Sequence, residues 1–291
     1  MDLLQLKYFQ VVARTEHMTK AARELQIAQP ALSVTIARLE EDLGVPLFDR
    51  QNRRIVLNPY GRAFLRRVDT ALAALGEGRQ ELADLAGMEY GILSIATTFL
   101  DEDFSKMIGS FVSRHPSMRF RIRQLSEDKT KLQLLTAGEV DFGFINQTVQ
   151  GPDIASVALL SEELLLAAPP GHPFGGCRTV SLSDLAPESF VLLKEGHSIR
   201  KRCDELFEKA GFFPKVVCEC DEIGAIRNLV HAGLGISFLP EPSSQAAAFP
   251  LTFVKNKELT YRNTLFLAWN EKRYLSKAAL KFREYVVRYY T

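Results

Sequence analysis

The stretch AARELQIAQPALSVTIARLEEDLGVPLF, residues 21–48, runs on into DRQNRRIVLNPYG, residues 49–61, and its centre is a helix with marked ends. Gln29-Pro30 opens it, because proline has no N–H to lose in a first helical turn, and Gly44 is placed to stop it. Leu32, Ile36, Leu39 and Leu43 recur at steps of four and three. One face is therefore buried, and the opposite face, with Gln29, Ser33, Val34 and Arg38, is left free. Upstream, a short helix is expected after Thr19, burying Ala22 and Leu25. Before it, Leu3, Leu6, Phe9 and Ala13 form a helical stripe behind Asp2, a good N-cap. Downstream, LFDR and RIVLN are short strand-like runs separated by QNR, which suits a hairpin carrying Arg50, Arg53 and Arg54.

A free helix face that opens with glutamine suits a DNA major groove, since Gln pairs bidentately with adenine and Ser reaches bases or phosphates. On an isolated helix Gln29 and Ser33 read better as residues that merely cap and solvate it. The hairpin guanidiniums supply phosphate contacts, and Arg53 or Arg54 is expected to enter a narrow minor groove. Arg66 and Arg67 are expected to be ordinary surface charges. From Pro59 to about Gly87 a long helix follows. Leu65, Val68, Leu72, Leu75, Leu82 and Leu85 keep close to a heptad seam, as a dimer interface would. Gly76 and Gly78 lower helix propensity and allow a bend.

These residues resemble the LysR family of bacterial regulators. The family pattern is met at Ala21, Ala22, Leu25, Gln29, Pro30, Ala31, Leu32, Ser33, Leu39, Glu40, Leu43, Gly44, Leu47, Phe48, Arg50 and Gly61. Ala28 departs from it where many members carry a capping Ser, and Asn58 where many carry Thr. The resemblance implies a winged helix-turn-helix DNA-binding domain (1–58), a linker dimerisation helix (59–88) and an α/β effector-binding domain (89–291) resembling type 2 periplasmic binding proteins. That last domain would hold subdomain I (91–161 and 266–291) and subdomain II (162–265). The implied partners are double-stranded DNA at an interrupted palindromic operator, a small-molecule effector, RNA polymerase, and further copies of the chain in a homodimer or homotetramer. Thr19 and Pro30 join Gln29, Ser33, Val34, Arg38, Arg50, Arg53 and Arg54 as expected DNA-binding residues.

After Tyr90 strand-like runs (ILSIATT, RFRIRQL, VDFGFI, SFVLL, KVVCEC, LGISFL) alternate with helices beginning near Asp103, Glu127, Ser198 and Glu222. Such alternation argues for parallel sheets with βαβ crossovers. A last helix is expected from about Glu271 to Tyr290. Hydroxyl residues recur where strands end: Thr97 and Thr98, Ser126, and Ser198. Ligands of open α/β sheets lie at those carboxyl ends, beside helix N-termini with free N–H groups. Each hydroxyl taken alone reads better as an N-cap. The resemblance makes Thr97, Thr98, Phe99, Ser126, Ile145, Asn146, His197, Ser198 and Ile199 the expected effector-binding set. An anion is the expected ligand, although Asp101, Glu102 and Asp103 stand nearby. EGHSIRK resembles the segment of peroxide-sensing members, with Ser198 where those carry a reactive cysteine, so redox sensing is not expected. Gly233 and Gly235 in HAGLGISFLP are expected to stop a helix and permit close packing.

Composition sets the outer bounds. The 291 residues exceed a single core, and 46% apolar with 24% charged residues is ordinary for a soluble protein. A net charge of +1 leaves DNA binding to local clusters. The opening MDLLQLKYFQ has no apolar signal region and LLLAAPP is too short to span a bilayer, so a cytoplasmic, membrane-free protein is expected. The four cysteines, Cys177, Cys203, Cys218 and Cys220, lack metal-site spacing. No catalytic triad, metal spacing or phosphate loop emerges, so no cofactor is expected and an enzyme or solute-binding protein on the same α/β scaffold is the alternative.

Overall fold

The computed structural model describes residues 1–51, 54–87, 91–149, 153–240, 250–259 and 261–290. They divide into two compact units, Met1–Leu85 and Ala86–Thr291.

In the first unit, helix α1 (Leu3–Thr15) is capped reciprocally: Asp2 accepts from the Gln5 N–H, and Gln5 Oε1 from the Asp2 N–H, each at 2.8 Å. Helix α2 (Met18–Glu24) begins earlier than the sequence reading had it, behind the His17 ring, and Thr19 lies within it. The turn to α3 (Gln29–Leu43) passes through Gln26 at φ +56°, a left-handed conformation. Strands β1 (Phe48–Gln51) and β2 (Arg54–Leu57) pair antiparallel as the expected hairpin. Phe9, Val12, Leu32, Ile36, Leu39 and Leu47 close one core, with the Phe9 ring edge-on to Phe48 at 5.6 Å.

Helix α4 (Pro59–Leu85) continues through Gly76 and Gly78. Its start is fixed by Asn58, whose Oδ1 accepts from Gly61 N–H at 2.8 Å while its Nδ2 donates to the Pro46 carbonyl, also at 2.8 Å. Gly61 must be glycine for packing reasons, because a Cβ there would lie 2.2 Å from the Leu47 carbonyl oxygen. The leucine seam divides in two. Val68 is buried in the first unit's own core, and Leu65 and Leu72 pack against it, because the first half of α4 lies along α1. Leu75, Leu82 and Leu85 are 55, 67 and 77% exposed. Heptad spacing predicts a partner helix for the whole row; Leu65, Val68 and Leu72 are instead used within the chain.

The second unit carries β3 (Gly91–Thr97), α5 (Glu102–Arg114), β4 (Met118–Gln124), α6 (Asp128–Ala137) and β5 (Phe142–Ile145). A long strand β6 (Ile154–Ala168) follows, then β7 (Thr179–Val180), β8 (Ser189–Leu193), α7 (Ser198–Ala210), β9 (Lys215–Cys220), α8 (Ile223–His231) and β10 (Ser237–Pro240). The chain closes with β11 (Thr252–Asn256), β12 (Arg262–Asn270) and α9 (Lys277–Tyr290). The main sheet runs β4-β3-β5-β12-β6-β11-β7, with β10 also on β6; β8 and β9 form a separate parallel pair. The sheet is mixed. β3 is parallel to β4 and β5, but β12 is antiparallel to both β5 and β6. Strands β6, β7 and β11 were not read from the sequence, and α9 begins after a turn, with Ser276 Oγ accepting from Ala279 N–H at 3.1 Å.

Two large apolar cores and a smaller cluster of Ala96, Leu135, Val140, Ile145 and Ala268 sit along this sheet. One gathers Phe104, Phe111, Phe142, Leu267 and Phe282, the other Leu166, Leu185, Phe190, Phe207 and Phe238. β6 runs through both, with Leu159 in the first core and Leu164 in the second. The two lobes are thus joined by continuous strand rather than by a loop. Gly233 follows α8 at φ +85°, and a Cβ on Gly235 would meet the Ser189 carbonyl oxygen at 2.3 Å, so both glycines serve as expected.

Candidate effector cleft and DNA-reading face

In the first unit the α3 face opposite the core is open. Gln29, Pro30, Val34 and Arg38 are exposed, Ser33 is partly so, and Thr19 is exposed on α2. Ala28 occupies the α3 N-cap without a side-chain bond. The first-turn N–H groups therefore keep their donors and the positive end of the helix dipole, which together suit a phosphate. Arg50 and Arg54 lie on β1 and β2, their side chains outside the described residues, as is Arg53 altogether.

Two carboxylates hold the hairpin. Glu40 Oε1 accepts from the Leu47 and Phe48 N–H groups at 2.7 and 3.3 Å, and Glu16 Oε1 from Leu57 N–H at 2.8 Å. Each bond from a backbone N–H to a charged oxygen contributes about 1.5–3 kcal/mol net. The Leu39-Glu40 pair of the sequence pattern thus has a division of labour: leucine fills the core, and glutamate anchors the hairpin to the reading helix.

In the second unit the parallel strands β3, β4 and β5 end at one edge of the sheet and deliver Thr97–Phe99, Ser126 and Asn146 there. The Thr97 hydroxyl is spent locally, donating to the Phe99 carbonyl at 3.1 Å and accepting from its N–H at 3.3 Å. Phe99 rests edge-on against Phe104 and Phe144 at 5.7 and 6.3 Å. Ile145 and Ile199 are buried, each in the core of its own lobe, and offer no polar group. Thr98 accepts a hydrogen bond from Lys131, a residue the sequence reading passed over.

Lys131 is fully buried, bonded also to Asp128 Oδ1 at 2.6 Å and to the Phe144 carbonyl at 3.0 Å. Burial pulls its pKa below the ordinary lysine value, against the pull of Asp128. The second oxygen of Asp128 accepts from Asn146 N–H at 2.9 Å, and Asn146 Nδ2 donates to Asn263 Oδ1 at 3.3 Å. One buried ion pair thus ties together the ends of β3 and β5 and the start of α6. A lysine three residues after an aspartate reads in sequence as a surface helix pair. Only the fold turns it inward.

The second lobe supplies the N-terminus of α7. His197 is its N-cap residue and gives no side-chain cap; its Nε2 lies 3.0 Å from the Asp221 carbonyl, so Nε2 donates and Nδ1 is left bare. Burial lowers the His197 pKa, countered by the Asp221 hydrogen bond, with Lys131 lowering it further. Ser198 follows as the first helical residue, partly exposed, its hydroxyl without a protein partner among the described residues. The lobes meet where Gln124 Nε2 donates to Glu222 Oε1 at 2.8 Å, and a Cβ on Gly196 would stand 3.4 Å from Glu127 Oε1. The α6 N-cap, Glu127, likewise gives no side-chain cap to the backbone, although its Oε2 accepts from the Thr130 hydroxyl at 3.3 Å. Two helices thus bring N-termini without side-chain caps to the strand ends of the two lobes; their free N–H groups suit an anion, against which the Glu127 carboxylate acts at the start of α6.

Cys203, the nearest thiol in sequence to Ser198, is buried in the second core, and burial pushes its pKa up to about 12. Such a thiol is unreactive. Cys218 and Cys220 are half-buried neighbours with sulfurs 3.9 Å apart. Among the described residues no helix is long and apolar enough to cross a membrane.

Comparison with known proteins covers the whole chain. Residues 3–62 match the family model "Bacterial regulatory helix-turn-helix protein, lysR family", and residues 91–291 match "LysR substrate binding domain". The chain is 37% identical over 297 residues to the uncharacterized HTH-type transcriptional regulator YybE of Bacillus subtilis (strain 168), covering 100% of both chains. It is 32% identical over 296 residues to the transcriptional dual regulator GltC of the same organism, covering 100% of this chain and 98% of that one. Among solved structures, full-length CbnR complexed with its target DNA superposes with a TM-score of 0.67 at 26% identity, over 99% of this chain and 100% of that one.

Proposed function

Because the chain belongs to the LysR family of transcriptional regulators, a DNA-binding domain followed by an effector-binding domain, we propose that it reads its operator through the open face of α3. An anionic effector, held between the lobes of the second unit, governs its promoter response. The observation that carries this is the pairing of unspent donors in both units. The α3 face with Gln29 and Ser33 is uncovered and its N-terminus has no side-chain cap, and the Thr98 and Ser198 hydroxyls stand at strand and helix ends with donors to spare.

Gln29, Ser33, Val34 and Arg38 face the major groove, Thr19, Pro30 and Arg50 approach the backbone, and Arg53 or Arg54 reaches the minor groove. Thr98, Ser126, Asn146 and Ser198 meet the effector, and Thr97 shapes the Phe99 turn beside them. The protein works without catalysis, in the cytoplasm, as a dimer or tetramer on an interrupted palindrome, in contact with RNA polymerase. The exposed half of the seam, Leu75, Leu82 and Leu85, pairs two α4 helices. The effector shifts a two-state equilibrium by about 1–3 kcal/mol, the usual range of a coupling free energy, or roughly 5–150-fold in promoter response.

Gel-shift titrations with and without a panel of organic acids and amino acids test this. Gln29→Ala is expected to lose about 1–3 kcal/mol on specific DNA and little on random DNA. Equal losses on both would remove Gln29 from base reading. Thr98→Val and Ser198→Ala are expected to abolish the metabolite response while ligand-free DNA binding persists. Responses like those of the unmodified protein would move the sensor elsewhere.

A further inference from the structure

The ammonium of Lys131 has three N–H bonds and three acceptors around it: Asp128 Oδ1, the Phe144 carbonyl and the Thr98 hydroxyl oxygen. An ammonium only donates. Thr98 Oγ1 is therefore the acceptor of that pair, and its own O–H has no acceptor among the described residues. Thr98 is 9% exposed at the carboxyl end of β3, so this proton is left for whatever enters the cleft. Lys131, with every donor spent and no surface exposed, cannot touch a ligand itself. Stability alone does not account for a buried ion pair, since well-packed apolar replacements of such pairs are often neutral or stabilising. What an apolar residue could not do is hold the direction of the Thr98 proton.

We propose that Lys131 is a positioning residue that sets the polarity of the effector site: it occupies one lone pair of the Thr98 hydroxyl and turns the proton away from itself, so the cleft prefers an effector presenting a carboxylate there to one presenting an amine. This rests on the reading of the cleft as the effector site. Asp128 neutralises the lysine locally, so the selection comes from the direction of one hydroxyl rather than from a bare charge. Asp128 also holds Asn146 N–H with its other oxygen, which keeps the β3 and β5 ends in fixed relation.

The test uses the full chain and three probe families of matched length: aliphatic mono- and dicarboxylates, their primary amides, and the corresponding amines, titrated by calorimetry. The unmodified protein is expected to bind a carboxylate about 10- to 100-fold tighter than the amine, with the amide, whose carbonyl also accepts from the hydroxyl, between them. The double variant D128N/K131M removes one charge of each sign and keeps an oxygen for Asn146 N–H. Its carboxylate preference is expected to fall to within about three-fold, because the freed hydroxyl can turn. Thr98→Ser should keep the preference. Thr98→Ala should lose it; it takes one acceptor from Lys131 but leaves Asp128 and the Phe144 carbonyl in place, which keeps the test decisive if the double variant does not fold. Absence of a preference in the unmodified protein, or its survival in folded D128N/K131M or in Thr98→Ala, overturns the proposal. If binding without that preference is still weakened by Ser198→Ala, only this inference falls. If no probe binds, or neither Thr98→Ala nor Ser198→Ala alters binding, the effector reading of the cleft falls with it.

Discussion

Gly61→Ala should damage the DNA-binding unit severely through a single methyl group. The added Cβ would stand 2.2 Å from the Leu47 carbonyl oxygen and 2.6 Å from Leu57 Cδ1. Contacts between carbon and carbonyl oxygen settle at about 3.3–3.6 Å, so roughly 1 Å of separation is needed. The leucine side chain can give way. The carbonyl cannot move alone, because it accepts from Asn58 N–H at 3.0 Å, and the same asparagine holds Pro46 and Gly61. Overpacking of this kind costs about 1–3 kcal/mol, and two weakened hydrogen bonds add about 0.5–1.5 kcal/mol each. Alanine's better helix propensity returns at most about 1 kcal/mol. The expected net loss is about 2–4 kcal/mol, or on the order of 10–30 °C in the melting temperature of a unit this size. Far-UV circular dichroism melts with hydrogen exchange localised to residues 1–85 would measure it. Gly76→Ala is the matched control: that glycine is also inside α4, but nothing lies within 4 Å of its added Cβ. It should gain about 0.5–1 kcal/mol. If Gly61→Ala melts like Gly76→Ala, with unchanged exchange in the hairpin, the close approach of α4 to the hairpin is refuted.

Gln26 sits at φ +56°, where a side chain costs about 1–2 kcal/mol, so Gln26→Gly should stabilise the helix-turn-helix in chemical denaturation; destabilisation would contradict the left-handed turn. His197 has its pKa lowered by burial below the ordinary 6.5, so it resists protonation when folded. Its contribution to stability is therefore full above about pH 6.5 and lost as pH falls through that value toward the folded pKa. The effector domain of the parent should lose melting temperature more steeply between pH 7 and 5 than that of His197→Gln, and parallel slopes would show the imidazole to be solvated. Cys203, buried with a pKa of about 12, should resist iodoacetamide in the native state while exposed Cys177 reacts; equal labelling would contradict the packing of α7.

Sequence alone determined what depends on neighbours along the chain. The α3 boundaries, the Asp2 cap, the hairpin and the helices at Ser198 and near Asp103 follow from caps, proline, glycine and 3.6-residue periodicity, which act over a turn or two. The family pattern also located Glu40 and Gly61, although not their tasks, because the carbonyls and N–H groups they meet are brought together only by folding. Tertiary structure alone decided the rest. The heptad row of α4 looks the same whether α1 or a second α4 covers it, and only the fold shows Val68 buried within its own chain and Leu82 exposed. Strand β6 has no clean alternation, because it is half-buried at its start and fully buried at its end. Its partner β12 lies about a hundred residues downstream, beyond the reach of any local pattern. Lys131 is the clearest case. A charged residue on a helix belongs in water unless its partners come with it. Those partners come from three separate elements, Thr98 after β3, Phe144 in β5 and Asp128 at the start of α6, and they converge only when the parallel strands align their carboxyl ends.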